Sequence, residues 1–115
     1  MNAAILDRLW LDVCALEDIP MRGARRIGPA ARPVAIFRTG ADEVYALVDR
    51  CPHKGGPLSM GIVHGAGVTC PLHGRRIDLA SGEFMGADAG KGCTPRIDVR
   101  VEGGRVLIDA SALGA

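Results

Sequence analysis

Two short segments of the chain each combine a thiol with an imidazole. Cys51 is followed two residues later by His53, and Cys70 is followed three residues later by His73. Sixteen residues, 54–69, lie between the two segments. Thiolate sulfur and imidazole nitrogen are ligands of zinc sites and of iron–sulfur clusters in which two histidines replace two cysteines. We therefore predict one metal centre with the ligands Cys51, His53, Cys70 and His73.

The distribution of these ligands favours a cluster over a single zinc ion. Zinc sites usually pair cysteine with cysteine and histidine with histidine, whereas each segment here supplies one of each. That mixture is typical of a Rieske-type 2Fe–2S centre, in which one iron takes both thiolates and the other takes both imidazoles. Gly55, Gly56 and Gly74 would let backbone N–H groups approach the bridging sulfides. On ligand types alone, zinc stays an alternative.

Both ligand segments must reach the same side of the molecule, and the flanking sequence predicts how. Apolar runs at Val34–Arg38 and Val44–Val48, with a turn between them, predict a hairpin that ends at the first segment. Shorter runs at 61–63 and 68–69, joined by a turn at 64–67, predict a second hairpin that ends at the second segment. Because the second hairpin reverses the chain, we expect both loops to point the same way.

The remaining pattern predicts an all-β fold. Glycine (16) and proline (7) interrupt the sequence often, and no stretch has a helical period of adequate length. Residues 80–92 are expected to be irregular, and residues 2–9 to form one or two helical turns. Short strands at close spacing indicate an antiparallel sandwich or barrel. The further predicted strands are Trp10–Ala15, 25–27, 76–79, 96–102 and 105–110.

Length and charge define the class of protein. The 115 residues predict a single domain, 1–115, with a core at about 10–109 and short flexible tails. The net charge of +1, without a basic stripe, argues against a nucleic-acid partner, and no apolar stretch approaches the roughly 18 residues that span a membrane. We expect a cytoplasmic protein without a catalytic site of its own. Cys14 and Cys93 are expected to be buried and reduced.

The residues around the ligands resemble the Rieske domain. The similarity lies in residues 51–59, CPHKGGPLS, and in residues 70–74, CPLHG. The first of these, together with the GIVHG that follows it, is also similar to the small subunit of assimilatory NAD(P)H-dependent nitrite reductase. Two further segments, WLDVC near the start and GCTP at 92–95, are similar to the same subunit. The resemblance extends from about Trp10 to about Asp109.

This resemblance implies a fold, a cofactor and a role. The fold is the Rieske fold of three small antiparallel sheets, with two cluster-binding loops at one tip. Cys51 and Cys70 would hold the buried iron of a 2Fe–2S cluster, and His53 and His73 the outer iron near solvent. The role would be electron transfer, with a large flavin- and sirohaem-bearing subunit, during reduction of nitrite to ammonium in nitrate assimilation. A free Rieske-type ferredoxin that serves an aromatic-ring dioxygenase is the alternative.

Departures from the high-potential members of the family imply a low reduction potential. Those members carry a disulfide between the two cluster loops, and hydroxyl groups that donate to a cluster sulfur and a ligand cysteine. The disulfide positions correspond here to Gly56 and Leu72, and the hydroxyl positions to Arg75 and Ile77. Since fewer donors stabilise an added electron less, we expect a potential near the low end of the Rieske range, which starts at about −150 mV.

Overall fold

The described part of the chain, residues 9–28, 31–52, 55–72 and 74–109, is built from short strands in the computed structural model. Three single-turn 3-10 helices lie between them, at Leu16–Asp18, Leu58–Met60 and Gly86–Asp88. The strands are β1 (Trp10–Ala15), β2 (Gly23–Ile27), β3 (Val34–Arg38), β4 (Val44–Val48), β5 (Ile62–His64), β6 (Gly67–Thr69), β7 (Arg76–Asp78), β8 (Arg96–Ile97), β9 (Val99–Glu102) and β10 (Arg105–Asp109).

These strands form three small antiparallel sheets. The first has the order β1-β10-β9, the second β2-β3-β4-β8, and the third β5-β6-β7. The predicted all-β class is confirmed, and so is the three-sheet arrangement that the resemblance implied. The general sandwich or barrel suggested by strand spacing is replaced by these three separate sheets.

The hairpin of β3 and β4 lies between two apolar clusters and separates them. Its register runs from the pair Val34–Val48 to the pair Arg38–Val44, which confirms the predicted hairpin. Alternate residues of a strand point to opposite faces, and both faces here are buried. The residues that face the first cluster are Ala35, Phe37 and Leu47. Those that face the second cluster are Val34, Ile36, Ala46 and Val48.

The first cluster contains the inner face of the third sheet. Val63 pairs with Val68, and Val68 pairs with Ile77, and all three side chains are buried. The predicted second hairpin is therefore confirmed. Its turn is shorter than predicted, because His64 pairs with Gly67 instead of lying in the turn.

The second cluster packs the first sheet against the other face of β3 and β4. Cys14, Val106 and Ile108 are buried in it. The prediction that Cys14 is buried is therefore confirmed. Burial raises the pKa of the Cys14 thiol above its ordinary value of 9.0, so this cysteine stays neutral near physiological pH.

The prediction of one continuous strand over 96–102 is wrong. The chain divides at Asp98 into β8, which pairs with β4, and β9, which pairs with β10. The carbonyl of Asp98 accepts the N–H of Asp109 at 3.1 Å, which ties the break to the last strand. The chain therefore passes from the second sheet to the first at this residue. Val101, which lies in β9 after the break, is 42% exposed.

The prediction that Cys93 is buried is also wrong, since its side chain is exposed. Cys93 forms an isolated antiparallel bridge with Glu83, so the backbone is extended at this point. The next side chain, that of Thr94, is 2% exposed and turns into the protein. Alternation along an extended chain then directs the Cys93 thiol to solvent.

The other segments need only brief description. Within 80–92 the structure contains the short Gly86–Asp88 helix and bridges to Ile77 and Cys93, but no regular strand. The helical turns predicted for 2–9 lie outside the described residues except for Leu9, and the predicted C-terminal tail lies outside them as well. No helix in the described ranges is long and apolar enough to cross a membrane.

Cys93 should be the faster-reacting of the two cysteines that are not predicted ligands. Its thiol is exposed, whereas Cys14 is 3% exposed and its raised pKa leaves little reactive thiolate. Iodoacetamide at about pH 8 should modify Cys93 at least about tenfold faster than Cys14, as measured by peptide mass spectrometry. The variant Cys93→Ser should lack the fast phase. Equal rates for the two thiols in the folded protein would contradict the assignment.

Candidate metal centre

Cys51 and Cys70 begin two loops near the ends of their strands. Cys51 comes three residues after the end of β4, and Cys70 directly follows β6. Each is 2% exposed, and both belong to the first apolar cluster. The structure therefore brings the two predicted thiolate ligands into one region. The predicted imidazole ligands, His53 and His73, lie outside the described residues.

Both cysteine loops are closed by the same pair of backbone hydrogen bonds. In the first loop, Cys51 N–H donates to the carbonyl of Gly56 at 2.8 Å, and Gly55 N–H donates to the carbonyl of Cys51 at 2.8 Å. In the second loop, Cys70 N–H donates at 2.8 Å to the carbonyl five residues later, and its own carbonyl accepts from Gly74 at 3.0 Å. The two loops thus form equivalent frames, although their histidines stand at different positions.

The fourth residue after each cysteine is glycine for a conformational reason. The φ angles of Gly55 and Gly74 are +74° and +73°, in the left-handed region that glycine adopts without steric cost. The expectation that these N–H groups face bridging sulfides is not met at these two positions. Both N–H groups donate to the carbonyl of their own loop's cysteine.

Gly56 is the point at which the two loops meet. Its carbonyl accepts from Cys51, and a Cβ at its position would lie 3.1 Å from the sulfur of Cys70 and 2.9 Å from the side chain of Leu72. A carbon at these distances would be too close for ordinary packing, so the side chain of Leu72 or the loops would have to shift to admit it. Gly56 and Leu72, which the resemblance matched to the disulfide positions, therefore lie close together, and neither residue has a thiol.

The chemistry of this region fits an iron–sulfur cluster. Thiolates are the ligands of such clusters, and apolar surroundings limit the access of water. Two buried sulfur donors lie in one apolar cluster, and the backbone of Gly56 passes close to one of them, the sulfur of Cys70. In the part of the chain that the structure describes, no group of three or more His, Cys, Asp or Glu side chains converges. The predicted third and fourth ligands are the two histidines outside it.

Thr94 supports the first loop and was not singled out from the sequence. It is 2% exposed, and its hydroxyl donates to the carbonyls of Val48 at 3.2 Å and Arg50 at 3.1 Å. Its N–H donates to the carbonyl of Gly82 at 2.7 Å. The backbone that leads into Cys51 is therefore fixed to a segment more than forty residues later. The similarity of residues 92–95 to a known subunit was the one sequence signal at this position.

The residues after the second histidine carry no hydroxyl group. The Nε atom of Arg75 lies 3.4 Å from Oδ1 of Asp88, and Lys91 approaches the same oxygen at 3.8 Å. Ile77 is fully buried in β7. The two positions that the resemblance matched to hydroxyl donors therefore hold a guanidinium paired with a carboxylate, and an apolar side chain.

Sequence comparison relates the chain to proteins of one family. The model of the Rieske [2Fe-2S] domain matches residues 9–96. Ferredoxin CarAc of Metapseudomonas resinovorans is 33% identical over 107 residues, which cover 90% of this chain and 95% of that protein. The ferredoxin component of the naphthalene 1,2-dioxygenase system of Pseudomonas aeruginosa is 30% identical over 102 residues, covering 89% and 96%.

Solved structures share the fold of this chain. A chain in the complex of reduced oxygenase and oxidised ferredoxin of carbazole 1,9a-dioxygenase has a TM-score of 0.77 and 31% identity, covering 90% of this chain and 94% of that one. A structure described as a nitrite reductase NADPH small subunit has a TM-score of 0.75 and 26% identity, covering 87% and 97%. The fold that the resemblance implied is confirmed by both.

Gly56→Ala should destabilise the protein for lack of space. The added carbon would lie 2.9 Å from the Leu72 side chain and 3.1 Å from the sulfur of Cys70, so Leu72 or the two loops must shift. We expect the free energy of unfolding to fall by about 1–3 kcal/mol, measured by guanidinium denaturation. The iron bound per chain should fall with it.

Leu72→Ala provides the matched background for this test. Leu72 is 53% exposed, so its own truncation should cost little. In that background the 2.9 Å contact is absent, and Gly56→Ala should destabilise the protein less than it does beside Leu72. The same cost in both backgrounds would show that Leu72 does not limit the space at Gly56.

Proposed function

Because this chain belongs to the Rieske [2Fe-2S] domain family, we propose that it is the ferredoxin that supplies electrons to a terminal oxygenase. Membership of the family makes it a Rieske-type electron-transfer protein with a Rieske-type 2Fe–2S cluster. The observation that carries the proposal is the nearly end-to-end similarity to ferredoxin components or subunits of dioxygenases, at 30% to 35% identity. In this role the chain carries electrons, and the oxygenase contains the catalytic site.

We propose that Cys51, His53, Cys70 and His73 hold the cluster. The bound cluster takes up and releases one electron. The burial of Cys51 and Cys70, at 2% exposure each, supports an inner position for the iron that the thiolates bind. The hydrogen bonds that close each loop fix the backbone of both cysteines within their loops.

The extent of the similarity supports a single functional unit. The alignments cover 95% and 96% of the two ferredoxins described above. We therefore propose that residues 1–115 act as one Rieske domain. We also propose that the protein works in the cytoplasm. Its partner would be an oxygenase, with no nucleic acid or membrane involved.

A second candidate is the small subunit of NAD(P)H-dependent nitrite reductase. Residues 51–58 with 61–65, and residues 92–95, favour it through their similarity to that subunit. The fold likeness to a structure described as a nitrite reductase small subunit, at 26% identity, is compatible with it. The partner would then be the large flavin- and sirohaem-bearing subunit, and electrons would be used in nitrate assimilation.

A direct comparison of the two partners tests the proposal. The reduced chain should be mixed anaerobically with an oxidised terminal oxygenase, or with the large subunit of nitrite reductase, and its reoxidation followed by absorbance. We expect the oxygenase to reoxidise it at least about tenfold faster, because docking specificity is a difference of interaction energies. The mixture without this chain is the control. The opposite order of rates would reject the ferredoxin role in favour of the second candidate.

The reduction potential is expected near the low end of the Rieske range, at about −150 mV. Gly56 and Leu72 have no thiol and cannot form a disulfide between the loops, and the buried Ile77 supplies no hydroxyl donor. Fewer donors to the sulfurs leave the added electron less stabilised. A redox titration followed by absorbance measures the value. A potential above roughly +100 mV would contradict this account of the loops.

A further inference from the structure

Asp49 is a buried carboxylate beside the first loop that the proposed ligand set leaves unused. Its side chain is 0% exposed. Its Oδ1 atom accepts a hydrogen bond from the N–H of Ser59 at 2.7 Å, and its Oδ2 atom accepts one from the Ser59 hydroxyl at 2.5 Å. The Nε atom of Arg26 lies 3.2 Å from the same Oδ2. The carboxylate is thus fully enclosed and has several partners.

These contacts connect the start of the first loop to its end. Asp49 stands two residues before Cys51, and Ser59 directly follows Leu58, the buried residue at the far end of the loop. One carboxylate therefore joins the entry and the exit of the segment that contains Cys51. Hydrogen bonds to an ionised acceptor are shorter and stronger than those between neutral groups, so this contact is well suited to fix the loop.

We propose that Asp49 is a positioning residue that holds the first loop closed and lowers the reduction potential through its buried negative charge. The proposal rests on the proposed cluster at Cys51. A fixed negative charge in surroundings of low dielectric constant disfavours the addition of an electron nearby. Arg26 offsets only part of that charge, because its side chain is 53% exposed and is screened by water and salt.

The backbone at Asp49 is fixed independently of its side chain. Its N–H donates to the carbonyl of Pro33 at 2.8 Å, and the Thr94 hydroxyl donates to the carbonyls of the residues on either side. In Asp49→Asn, the amide oxygen can still accept from Ser59 N–H, and the amide NH₂ can donate to the Ser59 hydroxyl. This substitution therefore removes the charge and keeps both contacts with Ser59, but it loses the ion pair with Arg26, because the amide NH₂ cannot accept from the guanidinium.

The test is a redox titration of the cluster-loaded protein and three variants. Asp49→Asn removes the buried charge, and Arg26→Gln removes the charge that faces it. Asp12→Asn is the matched control, since it makes the same change of charge in the first sheet. Asp12 is 47% exposed there, in an ion pair with Arg105.

In Asp49→Asn the ratio of reduced to oxidised protein at a fixed potential should rise about threefold to tenfold, which is roughly 30–60 mV for one electron. In Arg26→Gln the ratio should fall, and the shift should shrink at about 1 M salt. Asp12→Asn should match the wild type. An Asp49→Asn protein with unchanged cluster spectra and the potential of Asp12→Asn would overturn the electrostatic part of the proposal.

Two variants keep the proposal testable if Asp49→Asn retains no cluster. Arg26→Gln alters an exposed residue, and an unchanged potential at low salt would then overturn the electrostatic part. Ser59→Ala removes one of the bonds that close the loop but keeps the charge. It should lose the cluster about threefold to tenfold faster at an unchanged potential. A wild-type rate of cluster loss would overturn the closing role.

These measurements separate the proposal from the proposed function. None of them uses an oxygenase or a nitrite reductase, so a wrong choice of partner leaves their outcome unchanged. A wild-type protein whose spectra lack the signature of mixed cysteine and histidine ligation would instead reject the proposed ligand set.

Discussion

The two loops meet at Gly56, where there is room for a backbone but for no side chain. A Cβ there would lie 3.1 Å from the sulfur of Cys70, and its carbonyl accepts the N–H of Cys51. This close approach requires both loops to arrive at one place. The sheets meet that requirement, since β4 leads to the first cysteine and β6 to the second, and both cysteines pack in one cluster.

Much of the site could be predicted because its chemistry lies in residue types and spacing. Cys51 and Cys70, each with a histidine two or three residues later, stand out without any knowledge of the fold. The two hairpins that bring these cysteines together have apolar runs separated by turn residues, which is a local pattern. The absence of a helical period gave the all-β class for the same reason.

The features that could not be predicted depend on contacts between residues distant in the chain. Asp49 follows an apolar strand, as an exposed acid commonly does, and its burial results from packing against Ser59 and Arg26. The alternation of residues 96–102 continues through Asp98, so periodicity alone cannot show that the chain changes sheets there. The redox partner could not be predicted from local patterns either. The cluster ligands are shared across the family, so they do not distinguish one partner from another.

The central position of the β3–β4 hairpin has a consequence for how this chain can change in length. Its alternate residues belong to two different clusters, with Ala35 and Phe37 on one side and Val34 and Ile36 on the other. Inserting or deleting one residue within either strand would exchange the two sets. Each cluster would then receive side chains of the wrong volume at once. Insertions and deletions among relatives should therefore be confined to the loops that connect the strands. Alignments of these relatives should need no gaps within β3 or β4.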